Sequence, residues 1–137
     1  MAEVRVDSRH ELVKEAVRSG LIAFNNGYLP ADRDVRPITL SVCDGDRIAG
    51  GLCASASVNW VFIDLLWVDD AYRGQGFGTE LLRQLEEQAL RLGLKHVYLD
   101  TFGFQAAGFY EKLGYREFGR LDDFLAGYDR IWMRKDL

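Results

Sequence analysis

Arg73-Gly74-Gln75-Gly76-Phe77-Gly78-Thr79 sets an arginine and three alternate glycines where a run of apolar residues gives way to helical spacing. Without Cβ atoms, glycines let backbone N–H groups come close to an anion. A helix amino terminus adds unpaired donors and partial positive charge, and Arg73 adds a full one. The chemistry available to such a stretch is capture of a phosphate or pyrophosphate. Just upstream, Asp64 interrupts the apolar run from Trp60 to Val68. A carboxylate there is costly unless paired, hydrated or used, so Asp64 is a candidate general base, with amine binding and a structural role as its alternatives. It shares strand parity with Leu66 and Val68, a count that a β-bulge would break.

The elements that must position these residues follow from pattern. Weak alternation predicts a first strand over residues 2–6. Ser8 and Glu11 fit a capping box opening a helix at about residue 9, and Gly20 is expected to interrupt it by about 1 kcal/mol relative to Ala. Residues 38–43 and 47–57 form a hairpin turned by Asp44-Gly45, in which Gly50-Gly51 signals a bulge or a close backbone approach. Residues 60–68 are apolar enough to predict a central strand covered on both faces. Leu81, Leu82, Leu85, Ala89 and Leu92 carry helical periodicity over 77–92, with Gly93 just past its end. A strand over 95–101, a short helix over 105–113 and an antiparallel pair over 115–121 and 128–135 complete the chain. This order predicts an α+β fold, a mixed sheet with helices on its faces, made by one domain over residues 1–137.

Composition narrows the function. The 137 residues carry a formal charge of −4, which argues against a nucleic-acid surface built from clustered Lys and Arg. Cys43 and Cys53 form no CxxC pair, and His10 and His96 have no metal-ligand spacing, so free thiols and no metal are expected. The amino terminus is charged where a signal peptide needs an apolar core, and no run reaches about 18 apolar residues. These features predict a cytoplasmic protein with no membrane contact.

Other phosphate cradles fail on residues. A P-loop needs four residues between its glycines followed by Gly-Lys-Ser/Thr, and the dinucleotide fingerprint needs a glycine where Thr79 stands. Arg73-x-x-Gly76-x-Gly78, after a strand ending Leu66-Trp67-Val68, instead resembles the coenzyme A pyrophosphate loop of the GNAT superfamily of N-acetyltransferases. Phe109-Tyr110-Glu111-Lys112-Leu113-Gly114-Tyr115 resembles a second segment of that family, and the order of elements agrees from residue 1 to 137.

The resemblance implies a mixed, mostly antiparallel sheet of about seven strands flanked by helices, splayed between strands four and five. Acetyl-CoA is expected in that opening as cosubstrate. Its pantetheine arm would lie along Leu66, Trp67 and Val68, and its pyrophosphate would lie on Arg73, Gly74, Gln75, Gly76, Phe77, Gly78 and Thr79. The reaction implied is acetyl transfer to a primary amine, with a small molecule expected over a peptide and a non-catalytic acyl-CoA-binding module as the rival. Direct attack on the thioester needs a donor for the oxyanion, assigned to the Val68 N–H, and an acid for the leaving sulfur, assigned to Tyr110, with Asp64 as base. Phe109 is expected beside the cofactor. Relatives commonly have an asparagine after strand five, and none occurs here beyond Asn59, so Gln105 or Thr101 is expected to replace it. A homodimer is compatible with the family.

Overall fold

In the computed structural model, which describes residues 1–137, the hairpin at Asp44-Gly45 forms as the turn chemistry requires. Gly45 takes a φ of 61°, and β1 (Arg36–Asp44) pairs antiparallel with β2 (Arg47–Ala56). The register passes from Val42↔Gly50 to Cys43↔Ile48, so Ala49, next to Gly50, is the extra residue of a bulge. The two glycines also serve the other expected purpose. A Cβ on Gly50 would lie 2.7 Å from the Trp67 carbonyl oxygen, and one on Gly51 2.7 Å from that of Leu40.

β2 pairs with β3 (Trp60–Val68), and the sheet continues through β4 (His96–Phe102), β6 (Tyr128–Asp136) and β5 (Arg116–Leu125) in the order β1-β2-β3-β4-β6-β5. Only β3 and β4 run parallel. The sheet therefore has six strands, with no strand at residues 2–6. Val4 and Val6 are fully exposed, and no neighbouring strand completes their backbone hydrogen bonds.

α2 (Phe77–Arg91) lies against β1, β2 and β3. Leu81, Leu82, Leu85 and Ala89 are buried, in a core with Leu52, Val61, Ile63, Val97, Leu99 and Met133. Each of the fully buried leucines contributes about 1.5–3 kcal/mol relative to exposure. Gly93, at φ 77°, ends the helix in the left-handed conformation expected of a residue just past a helix end. The short helix is α3 (Ala107–Lys112), entered two residues later than the sequence pattern predicts.

These elements lie in one compact unit, Asp34–Leu137. A second unit, Met1–Arg33, contains α1 (His10–Asn25), which runs through Gly20 without a break. Ser8 does not cap it. The N-cap is Arg9, whose backbone N–H donates to Asp7 Oδ1 at 2.9 Å while its guanidinium pairs with the same carboxylate.

Candidate active site

The site begins where two strands part. β3 and β4 pair from Trp60↔His96 to Ile63↔Leu99 and no further, after which β4 continues against β6 alone. Asp64 occupies that point. Cys53 pairs with Leu65 and Ala54 with Ile63, so Asp64 is the extra residue of a β-bulge. The bulge breaks the parity count, and Leu65 and Trp67 are 62% and 52% exposed. β3 is thus not covered on both faces along its length: Val61 and Ile63 are buried in its first half, whereas Asp64, Leu65 and Trp67 are exposed.

Beyond the bulge one edge of β3 is open. The Asp69 N–H donates to the Ala49 carbonyl at 2.8 Å, which fixes which backbone groups turn towards β2. Since these groups alternate along a strand, those of Leu66 and Val68 turn to the opening, while the backbone of Trp67 turns to β2. The Val68 carbonyl accepts from Arg73 Nε at 2.9 Å. The pantetheine expectation is accordingly narrowed to Leu66 and Val68 for backbone pairing, with Trp67 contributing its side chain to the wall.

The opening widens into a cavity of about 970 Å³. Asp64, Leu66, Trp67 and Val68 form one wall, Arg73, Gly74, Gly76, Phe77, Gly78 and Thr79 its end, and Gln105, Phe109 and Tyr110 the far side. Of the expected residues only Gln75 is not on the wall. Its side-chain amide turns back to the Ala71 carbonyl at 3.4 Å.

Local chemistry shapes the loop. Asp70–Tyr72 forms one 3-10 turn, and Gly74 and Gly76 have φ of 73° and 85°, values that a side chain would strain. Gly76 is the N-cap of α2. Gly78 is needed for space instead, since a Cβ there would lie 3.2 Å from the ring of Phe109. The loop is tied to the first hairpin by Tyr72, whose hydroxyl donates to Asp44 Oδ2 at 2.5 Å, and by an Arg47–Asp69 ion pair. Asp69 and Asp70 sit beside the cradle with their charges partnered, by Arg47 and by Arg73 at 2.5 Å. The tether through Arg47, Asp44 and Tyr72 escaped sequence reasoning, because it depends on a hairpin far away along the chain.

On the far side, Tyr110 is buried on α3 between the rings of Phe109 at 5.3 Å and Tyr115 at 5.8 Å. Burial pushes its phenol above the ordinary tyrosine range, so it keeps its proton at neutral pH. Gln105 Oε1 accepts from Thr101 Oγ1 at 2.9 Å and from the Phe102 N–H at 2.7 Å. That fixes the amide by its oxygen and leaves its NH2 as a donor. Asp100, also on the cavity wall and not singled out from sequence, pairs with Arg130 at 2.9 Å across the β4–β6 register. The signal for it was present in its place at the end of a predicted strand, but its partner is 30 residues away.

The arrangement combines an anion cradle, an unpaired strand edge, a protonated phenol and a carboxylate around one cavity. Comparison with known proteins shows the family. Residues 7–115 match the sequence profile of the Acetyltransferase (GNAT) family. The chain is 31% identical over 123 residues to an acetyltransferase of Agrobacterium fabrum, covering 89% of each chain. It is 33% identical over 109 residues to the blasticidin-S acetyltransferase of Streptomyces morookaense, covering 76% of this chain and 80% of the relative. Among solved structures, an acetyltransferase from Bacillus cereus superposes with a TM-score of 0.87 at 31% identity, over 100% of this chain and 99% of the other.

Proposed function

The chain belongs to the GNAT family of acetyltransferases, and from that premise we propose that residues 1–137 act as one domain moving the acetyl group of acetyl-CoA to a small primary amine. One observation carries the reading. The separation of β3 from β4 after Ile63↔Leu99 leaves the Val68 N–H without a strand partner, on the wall of the cavity that also holds the Tyr110 phenol.

In this mechanism the pantetheine arm pairs with Leu66 and Val68 as an added strand. The pyrophosphate takes the backbone N–H groups of the 74–79 loop and the amino end of α2. Phe77 and Thr79 close the cradle, Phe109 packs beside the chain of the cofactor, and the Gln105 NH2 donates to an amide carbonyl of the arm.

The amine arrives as an ammonium and loses one proton, with Asp64 accepting it directly or through water. The nitrogen lone pair then attacks the thioester carbon. Charge that develops on the carbonyl oxygen is met by the Val68 N–H, a donor whose position is set before the reaction starts. As the tetrahedral centre collapses, the C–S bond breaks, Tyr110 supplies a proton to the leaving sulfur, and the second proton given up by the nitrogen passes through solvent to restore the phenol, while the first is released from Asp64. The products are the acetamide, CoA as a thiol and one released proton. No acetyl group passes through the enzyme, because the amine and the thioester share the cavity.

The test is thiol release from acetyl-CoA across a panel of primary amines, with the product identified by mass. Acetylated amine and free CoA in equal amounts support the proposal. Binding of CoA with no acetylation of any amine would favour a non-catalytic acyl-CoA module, and acetylation confined to peptides would move the acceptor to protein.

A further inference from the structure

The cavity carries more aromatic surface around Phe104 than the reaction requires. Phe102 and Phe104 stack at 5.4 Å with planes 7° apart, Tyr128 meets Phe104 edge-on at 4.8 Å, and Phe124 lies 6.0 Å from Phe102. Phe104 is itself on the cavity wall, so the cluster is continuous with the site. It is nonetheless 59% exposed, and Tyr128 46%. Exposed rings contiguous with a cavity offer apolar area for a ligand to cover.

The charges nearby decide what that ligand carries. Arg130 lies 5.0 Å over the ring of Phe124 and pairs with Asp100, so that ring face and that carboxylate are both occupied within the protein. On the β5–β6 hairpin, Asp129 is paired with Arg120, and Asp123 Oδ1 accepts from the Gly127 N–H. Asp64 differs from these. It lines the cavity with no hydrogen-bond or ion-pair partner, while no cation covers the rings of Phe104 and Tyr128. One open carboxylate and one open aromatic wall in a single site complement a molecule with one cationic and one flat apolar end.

We infer that the acceptor is an aryl-bearing primary amine, its ammonium drawn to Asp64 and its ring held against Phe104 and Tyr128. The inference rests on the acetyl-transfer reading. A polyamine would leave the aromatic surface uncovered.

The test compares kcat/KM for 2-phenylethylamine and for 1,4-diaminobutane, at saturating acetyl-CoA, in the wild type and in Phe104→Ala and Tyr128→Ala. Both side chains are exposed, and a CoA titration confirms that each variant folds. The wild type is expected to prefer 2-phenylethylamine by about tenfold or more, and each variant to shrink that preference by about three- to tenfold. Faster acetylation of 1,4-diaminobutane, or a preference untouched by both substitutions, overturns the inference and leaves acetyl transfer standing. CoA binding with no acetylation of either amine or of any other primary amine overturns the transfer reading, and the inference with it.

Discussion

Arg73 donates its Nε–H to the carbonyl of Val68 at 2.9 Å, five residues back along the chain, while its terminal nitrogen pairs with Asp70 at 2.5 Å. The same Val68–Asp69 peptide is held at its other end, where the Asp69 N–H meets the Ala49 carbonyl. The arginine that opens the glycine loop is therefore turned back onto the strand. In the proposed mechanism the loop backbone and the helix terminus would hold the anion, and the peptide beside the proposed oxyanion donor is clamped.

Lysine keeps the charge of Arg73 but not the planar fork that reaches a carbonyl and a carboxylate together. Arg73→Lys is expected to lower kcat/KM by about tenfold, the size of one charge-assisted hydrogen bond, with a small change in thermal stability. Steady-state rates alongside a melting curve check this. An unchanged rate would show that the clamp does not matter.

Tyr110→Phe removes the proposed acid and keeps the ring. Where chemistry limits turnover, kcat is expected to fall by about a hundredfold, with the KM for acetyl-CoA close to wild type. Full turnover in that variant, confirmed by a burst experiment to be limited by chemistry, would remove Tyr110 from the mechanism.

Gln105→Glu separates a tether from a donor. A carboxylate accepts the same bonds from Thr101 Oγ1 and the Phe102 N–H but has no NH2 to offer. The KM for acetyl-CoA is expected to rise about three- to tenfold with the melting temperature little changed. A fall in stability with unchanged KM would make Gln105 a purely structural residue.

Gly50 and Gly78 distinguish a rigid neighbour from a yielding one. A Cβ on Gly50 meets backbone, the Trp67 oxygen at 2.7 Å and Val68 Cα at 3.0 Å, so Gly50→Ala must displace β3 at the site. It is expected to cost about 1–3 kcal/mol and to depress kcat as well. Gly78→Ala meets the rim of the Phe109 ring, which can rotate or shift, and its main effect is expected in the KM for acetyl-CoA. Denaturant melts and kinetics of the two variants separate these outcomes.

Alkaline stability follows from two buried phenols. Burial pushes Tyr110 and Tyr115 upwards, and the negative charge of Glu86 adds to the shift at Tyr115. A folded-state value above the unfolded one, about 10, gives stability that is fully present below that pH and lost as pH rises through the folded values. The melting temperature is expected to decline above about pH 10, and Tyr115→Phe to reduce the decline. Calorimetry over that range is the check.

The glycine loop was legible in sequence because its requirements are local: left-handed backbone at Gly74 and Gly76, then a helix whose amino end must be free. The same holds for α2, whose apolar stripe became its buried face. What was not legible depends on partners. Residues 2–6 have a strand-like pattern but pair with no strand, and β3 is apolar apart from Asp64 although Leu65 and Trp67 in its second half are exposed. The bulge at Asp64 belongs with these, since only the register against Cys53 and Ala54 reveals it. At Gly20 a cost of about 1 kcal/mol is too small to break a continuous helix.

The most direct test of acetyl transfer in a shared cavity is the initial-velocity pattern of thiol release, with acetyl-CoA and an acceptor amine both varied. Direct attack in a ternary complex predicts reciprocal plots that intersect, with no CoA released when the amine is omitted. Parallel lines, with a stoichiometric burst of CoA from enzyme and acetyl-CoA alone, would mean that the acetyl group is first carried on the protein and would contradict the account.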